Sequence, residues 1–304
     1  MTEKFSPFGL REGEPPLDSN HTMDDLLHWI DLISIGTDKF RADNPSPTSR
    51  PYLFGGVTVS QCVKAAYMTV RDGLAIHSMH GYFTSPGQVN QPTDLHVYMK
   101  RDGKSSAYRQ VFAMQGEEVI LSLSVSFAIP KQGVDADLTL MTGVAHPETL
   151  QPASRLGAMA TSLGIFDTRL ASPEISHDYM GGTTLPSRLW FKSHVKLPDD
   201  PVLHACILAY TTDLSTGIGD TYLRIVPTSG GPSLDHVAWF HAPMRMDEWF
   251  YVDQVAVRLA GGRALYRGSM HDINGRTCVT LGQELLAREV PHPDSNVPTT
   301  IPPR

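Results

Sequence analysis

Cysteine is scarce in this chain: Cys62, Cys206 and Cys278 are the only three in 304 residues, each in an apolar context and far from the others. That excludes a disulfide framework, and with no CxxC or Cys/His ligand spacing it also excludes a structural zinc site. Reduced, buried cysteines fit a cytosolic compartment. Runs of like charge are missing and the net charge is −7, so a general nucleic-acid or acidic-membrane binder is not expected. No apolar run approaches the length of a membrane span. The opening stretch MTEKFSPFGLREGEPP holds no apolar h-region, so no secretory signal is expected, and the closing Pro-Pro-Arg is not a peroxisomal address. GxGxxG, P-loop and GxSxG strings are all absent, which removes a dinucleotide site and a nucleophile elbow. The histidines are scattered. No metal and no cofactor is expected.

The sequence does hold enough apolar residues, 41% of the total, for a sizeable core. The chain is organised around DDPVLHACILAYTTDLSTGIG, residues 199–219. Asp199-Asp200-Pro201 is a helix start, with a carboxylate to accept from the first turn and proline at the first helical position. Val202 to Ala209 is apolar almost without a break, so this helix belongs inside a core. It runs into Thr211-Thr212-Asp213. A carboxylate at the end of a buried helix is costly to desolvate unless it is hydrogen-bonded or useful, which makes Asp213 the lead residue.

In chain order, residues 1–21 read as an irregular arm. Thr22 to Ile35 reads as a short amphipathic helix with Thr22 as N-cap, and Phe40 to Arg50 as a polar loop. Gly55-Gly56 then opens a second buried helix from Val57 to Val70, and the double glycine at its start suits an anion or close packing. From Ile76 the period changes to strands: 76–83, 93–103, 106–116 and 118–130, with Gly103 and Gly116 in the turns. After a connector with a helical piece at Ala153 to Leu163, strands are expected at 188–195, 222–226, 236–241, 249–259, 263–271 and 277–285. The pattern is α+β, not alternating β/α.

The two halves repeat. Tyr82-Phe83-x-x-Pro86 matches Trp239-Phe240-x-x-Pro243, Ala107-Tyr108-Arg109 matches Leu265-Tyr266-Arg267, and Gly116 matches Gly275. The offsets, 157, 158 and 159, drift by single residues only. The chain therefore reads as two copies of one hotdog unit, a long helix wrapped by an antiparallel sheet: 1–50 arm and short helix, 51–130 first unit, 131–185 connector, 186–290 second unit with the site, 291–304 mobile tail.

These residues carry a resemblance. FGGVTVSQ, IHSMHGYFTSPG, RDGKSSAYR and LSVSFAIP in the first half, with LAYTTDL, SLDHVAWFH and TLGQE in the second, resemble the type II acyl-CoA thioesterases (TesB-like). The DHxxWFH string from Asp235 to His241 is the most specific piece. The resemblance implies a double hotdog that hydrolyses acyl-CoA thioesters to CoA and a carboxylic acid. It also implies a water held by an Asp, a Thr or Ser, and a Gln. Carried over by motif, these are Asp213 as general base, Ser233, and Gln283. Ser233 departs from the family's usual Thr. It keeps the hydroxyl and loses a methyl. The glycine-rich stretch Val226 to Pro232 before it reads as a loop. Backbone N–H groups at Gly55 or Gly56 are candidates to polarise the carbonyl oxygen. Lys100, Arg101, Lys104 and Arg109 are candidates for the CoA phosphates, or else solvated hairpin charges. Asp235 and His236 read as structural, with a supporting role open. The first half has no counterpart of Asp213, so one site per chain is expected. Hotdog sheets leave edges that pair between protomers, so a homo-oligomer is expected. Two alternatives stay open: a non-catalytic hotdog that binds acyl-CoA or an acyl carrier, and a hotdog enoyl-CoA hydratase. The residues after Asp213, LSTGIGDTYL, lack the His that the hydratase needs.

Overall fold

The computed structural model describes residues 21–45, 52–138, 141, 143–152, 164–171, 176–179, 182–184, 187–214 and 228–289. The arm before residue 21, the tail from 291, the helical piece expected at 153–163, the strand expected at 222–226, and Gly217 and Gly219 lie outside these residues.

The first helix is shorter than its periodicity suggests. Helix α1 spans Met23–Trp29, opened by a reciprocal capping box between Thr22 and Asp25. It ends before the β-branched residues Ile33 and Ile35, which form strand β1 (Ile33–Gly36). β1 turns into β2 (Lys39–Ala42), so part of the expected loop is strand. Asp38, at φ 53°, takes the left-handed turn position between them.

Helix α2 (Gly55–Tyr67) and strands β3 (Ala75–Phe83), β4 (Thr93–Asp102), β5 (Ser106–Gln115) and β6 (Glu118–Ala128) follow as their sequence patterns require. In β5 and β6, alternate residues face the core, as expected of a sheet with one covered face. Strand β7 (Phe166–Leu170) lies inside the stretch read as connector, yet it pairs with β10 (Ser187–Ser193). Strands β8 (Ser176–Tyr179) and β9 (Gly182–Thr184) form a separate pair.

Helix α3 (Pro201–Thr211) starts as expected, with Asp200 accepting from Val202 N and Pro201 in the first turn. Strand β11 (Thr228–Ser233) occupies the expected glycine-rich loop. It pairs with β15 (Thr277–Glu289) through a register break between Gly230 and Ser233, where glycine permits an irregular edge. Strands β12 (Asp235–Phe240), β13 (Phe250–Ala260) and β14 (Arg263–Asp272) complete the sheet.

The sheet order is β1-β2-β4-β5-β6-β3-β12-β15-β14-β13-β10-β7. Apart from β11, which comes between α3 and β12, the two halves run alike as strand, helix, four strands: β2-α2-β3-β4-β5-β6, then β10-α3-β12-β13-β14-β15. The orders β2-β4-β5-β6-β3 and β12-β15-β14-β13-β10 mirror each other across the antiparallel β3–β12 seam. This is the double hotdog that the repeat implies. The register corrects one match, however. Tyr108 is 36% exposed and Tyr266 only 2%, so they point to opposite faces. The true partner of Tyr108 is the exposed Leu265, and Arg109 corresponds to Tyr266, at the offset of 157 seen for Tyr82 and Trp239.

Helices α2 and α3 pack against each other, and α2 also lies against β4, β5 and β6. Gly56 makes that approach possible: a Cβ there would sit 2.6 Å from the Tyr210 carbonyl oxygen. Among the described residues no helix is long and apolar enough to cross a membrane.

Candidate active site

Asp213 sits two residues beyond the end of α3 and is 4% exposed. The C-terminal end of a helix disfavours a carboxylate, and burial adds to the cost. Its neighbours offset this. Gln283 lies on β15, where Leu281, Gln283 and Leu285 face inward; it is the polar member of an otherwise apolar row. Its Nε2 donates to Asp213 Oδ1 at 2.7 Å and to Ser233 Oγ. Ser233 ends β11, half-buried, at the corner that leads into β12. That corner is tied to β15 by Leu234 N on Glu284 O at 2.8 Å and by Glu284 N on Asp235 Oδ1 at 2.8 Å. Asp235 is thus a strand-start clamp. The three residues singled out by motif come from a helix end, an edge strand and an inner strand, and they meet through one carboxamide.

The other carboxylate oxygen faces the first half of the chain. A Cβ on Gly55 would lie 2.7 Å from Asp213 Oδ2 and 2.8 Å from Phe83 Cζ, so the α2 N-terminus abuts the carboxylate closely. That N-terminus has no side-chain cap: its N-cap residue is Phe54. Helices α1 and α3 both carry caps. The N–H groups and dipole of a helix start without a side-chain cap favour an anionic oxygen.

His236, read from sequence as structural, is 1% exposed and reaches the site directly. Its Nδ1 lies 3.1 Å from Gln283 Oε1, and its Nε2 2.8 Å from Thr212 Oγ1. Burial pulls its pKa below the ordinary histidine value, against the raising effect of Asp213 and the Gln283 hydrogen bond. Tyr210 is held protonated by burial and by the charge of Asp213. Thr212 is the neighbour that sequence reasoning does not single out, and His236 reads there as structural with a supporting role open. The signal was there in the DH string and in the TTD at the helix end.

The expected phosphate ligands divide. Arg109 is buried, and its five N–H groups are engaged by Thr69 Oγ1 and O, Asp102 Oδ1, and the carbonyls of Arg101 and Tyr108. It is a structural arginine with nothing left for a phosphate. Lys100, Arg101 and Lys104 are exposed on the β4–β5 hairpin. That hairpin lies beside Ala75, at the end of β3 opposite Phe83, about 25 Å from the site at strand spacing. The structure does not bring them to the carboxylate.

The same positions in the first half are dismantled. AYMTV aligns with AYTTD, so Thr69 matches Thr212 and Val70 matches Asp213. Val125, paired with Arg109, stands where Gln283 pairs with Tyr266, and Met79 stands for His236. The α3 N-terminus, counterpart of the uncapped α2 start, is closed by Asp200. Among the described residues no group of His, Cys, Asp or Glu is arranged to hold a metal.

Comparison with known proteins agrees with this architecture. Residues 164–286 match the acyl-CoA thioesterase family, and residues 43–128 match the acyl-CoA thioesterase N-terminal domain. The chain is 27% identical over 285 residues to acyl-CoA thioesterase 2 of Haemophilus influenzae, covering 88% of this chain and 98% of that protein. Among solved structures, acyl-CoA thioesterase II TesB2 of Mycobacterium marinum is 30% identical with a TM-score of 0.73, covering 87% of this chain and 98% of that one. A tesB protein from Mycobacterium avium subs paratuberculosis is 25% identical with a TM-score of 0.75, covering 88% and 99%.

Proposed function

The chain belongs to the acyl-CoA thioesterase family, and on that premise we propose that it hydrolyses acyl-CoA thioesters to CoA and a carboxylic acid with a water activated by Asp213 and oriented by Ser233 and Gln283. One observation carries the reading: the Gln283 carboxamide joins Asp213 Oδ1 to Ser233 Oγ, while Asp213 Oδ2 turns toward the uncapped start of α2. Oδ2 takes the proton of a water that attacks the thioester carbonyl carbon. The Ser233 hydroxyl, which accepts from Gln283, is left its own proton to orient that water or the oxyanion. The N–H groups of Gly55 and Gly56 receive the negative charge that develops on the carbonyl oxygen. When the tetrahedral intermediate collapses, the C–S bond breaks, and the CoA thiolate takes the proton back from Asp213. No covalent acyl-enzyme is formed.

The serine in place of the family's usual threonine keeps its hydroxyl on Gln283, so it gives no ground for a non-catalytic protein. The dismantled first half supports one site per chain. Lys100, Arg101 and Lys104 fit a phosphate role only if the CoA arm extends along β3. Strand β1 ends the sheet with Ile33 at 62% and Ile35 at 41% exposure, an apolar edge suited to pairing between protomers in a homo-oligomer. The buried free cysteines fit a cytosolic protein.

The test is release of free thiol from short, medium and long acyl-CoAs. Turnover with a chain-length preference is expected. A folded protein that binds acyl-CoA and releases no thiol from any of them contradicts the reading.

A further inference from the structure

We propose that His236 is a positioning residue for this reaction: its Nδ1–H holds the Gln283 carboxamide with the NH2 group turned toward Asp213 and Ser233. The inference rests on the Asp213–Ser233–Gln283 reading above. A carboxamide is nearly the same shape either way round, so packing alone does not decide which end faces Asp213. Turned over, it would set Oε1 against the carboxylate and leave Asp213 Oδ1 and Ser233 Oγ without their shared donor. The acceptor-only Asp213 carboxylate already favours the NH2 end, and a donor on the far side that binds Oε1 locks that choice.

The His236 ring does so. Its Nδ1 lies 3.1 Å from Gln283 Oε1, which only accepts, so this nitrogen carries a proton whether the ring is neutral or charged. At the other end of the ring, Nε2 lies 2.8 Å from Thr212 Oγ1. The Thr212 hydroxyl has a choice of acceptors, Nε2 or the Ala209 carbonyl at 2.7 Å. In a neutral ring protonated at Nδ1, Nε2 takes the Thr212 proton. The chain then runs in one direction from Thr212 through His236 and Gln283 to Asp213 and Ser233. Thr212, His236 and Gln283 are each exposed by 1% or less, so water does not substitute for a missing partner among these three.

The first half serves as an internal control. Thr69 holds the place of Thr212 and likewise sits on its own helix carbonyl, Ala66 O at 2.9 Å. Its hydroxyl oxygen accepts from Arg109 Nε at 2.8 Å. Where Val125 replaces the glutamine, no amide needs orienting, and the histidine position holds Met79. The histidine accompanies the glutamine, and both are absent where Asp213 is absent.

The experiment compares His236→Met, His236→Asn and Gln283→Ala, singly and as the His236→Met/Gln283→Ala pair. Methionine is the residue the fold already packs at the matching position of β3, and asparagine keeps a donor near the place of Nδ1. The expected result is a kcat roughly 10- to 100-fold lower for His236→Met with KM within about twofold, most of it recovered in His236→Asn. In the Gln283→Ala background, His236→Met should cost nothing more, because the histidine acts through the amide. Nitrogen NMR of histidine-labelled wild-type protein should show the buried ring protonated at Nδ1. A folded His236→Met at near wild-type kcat overturns the proposal. So does an equal further loss in the Gln283→Ala background, or a bare Nδ1 in the NMR spectrum, which decides the matter even if the variants do not fold. Unchanged kcat in Gln283→Ala instead overturns the site itself, and this inference with it.

Discussion

An alanine at position 55 would carry its Cβ to 2.7 Å from Asp213 Oδ2 and 2.8 Å from Phe83 Cζ. Gly55 has an ordinary helical conformation, and alanine is the better helix former, so the loss is one of space and not of backbone freedom. Gly55→Ala should therefore lower kcat by about 100-fold by displacing the carboxylate, while the melting temperature moves by only a few degrees. Thiol release and a thermal melt check both halves of that statement. At this scale the sequence was legible where a residue broke its own local pattern. Asp213 ends an apolar helix; Ser233 and Gln283 come from the family resemblance alone, and the apolar row that Gln283 interrupts is visible only in the structure. The sequence already marks Gly55 as a candidate for the carbonyl oxygen and leaves His236 a supporting role, but the contacts of Gly55 with Asp213 and of His236 with Gln283 were not legible. Their contacts cross the chain, from the first half to the second and from β12 to β15, and no local pattern records them.

Among the elements, α3 has the most to position, and a buried carboxylate on another segment holds its entry. The Asp247 side chain is 1% exposed. It accepts from Leu197 N at 3.2 Å, and it pairs with Lys196 at 2.7 Å and Arg245 at 3.1 Å. Arg245 reaches on to Asp199 at 2.6 Å, beside the helix start. Burial pushes the Asp247 carboxyl up, but these partners outweigh it and hold the group well below its ordinary value of 3.8. A depressed folded pKa gives stability that is present above the unfolded value and is lost as pH falls through the folded one. Asp247→Asn should cost about 3 kcal/mol near pH 7. The gap between wild type and variant should stay open down to about pH 4 and narrow as pH falls further, and urea melts at pH about 7 and about 2.5 measure it. The start of α3 was readable from Asp-Asp-Pro, but its clamp was not, because Asp247 lies in an unpatterned turn. The early end of α1 and the strand nature of residues 228–233 escaped for a related reason. Strand pairing overrode local helix periodicity in one case, through the β1–β2 hairpin, and glycine content in the other, through the distant strand β15.

At the scale of the whole molecule, the β3–β12 seam makes one sheet of two units, and the site takes Gly55 from one and Asp213, Ser233 and Gln283 from the other. The repeat was legible because aromatic and glycine positions survive in both halves. It was misread by one residue at Tyr108, since only the exposure of each side chain tells which face it occupies. The first half lacks the carboxylate, the amide and the histidine, and Arg109 has taken up Thr69. A non-hydrolysable acyl-CoA thioether should therefore titrate by calorimetry to one site per chain. Two equivalent sites per chain would contradict this division of labour.

The measurement closest to the central claim is the turnover of Asp213→Asn against wild type on the best acyl-CoA substrate, with the melting temperature and substrate affinity taken alongside. Asparagine keeps the shape and an oxygen for Gln283 but accepts no proton. The account predicts a kcat about 1,000-fold lower in a protein that still folds and binds acyl-CoA. Near wild-type turnover in that variant would contradict it.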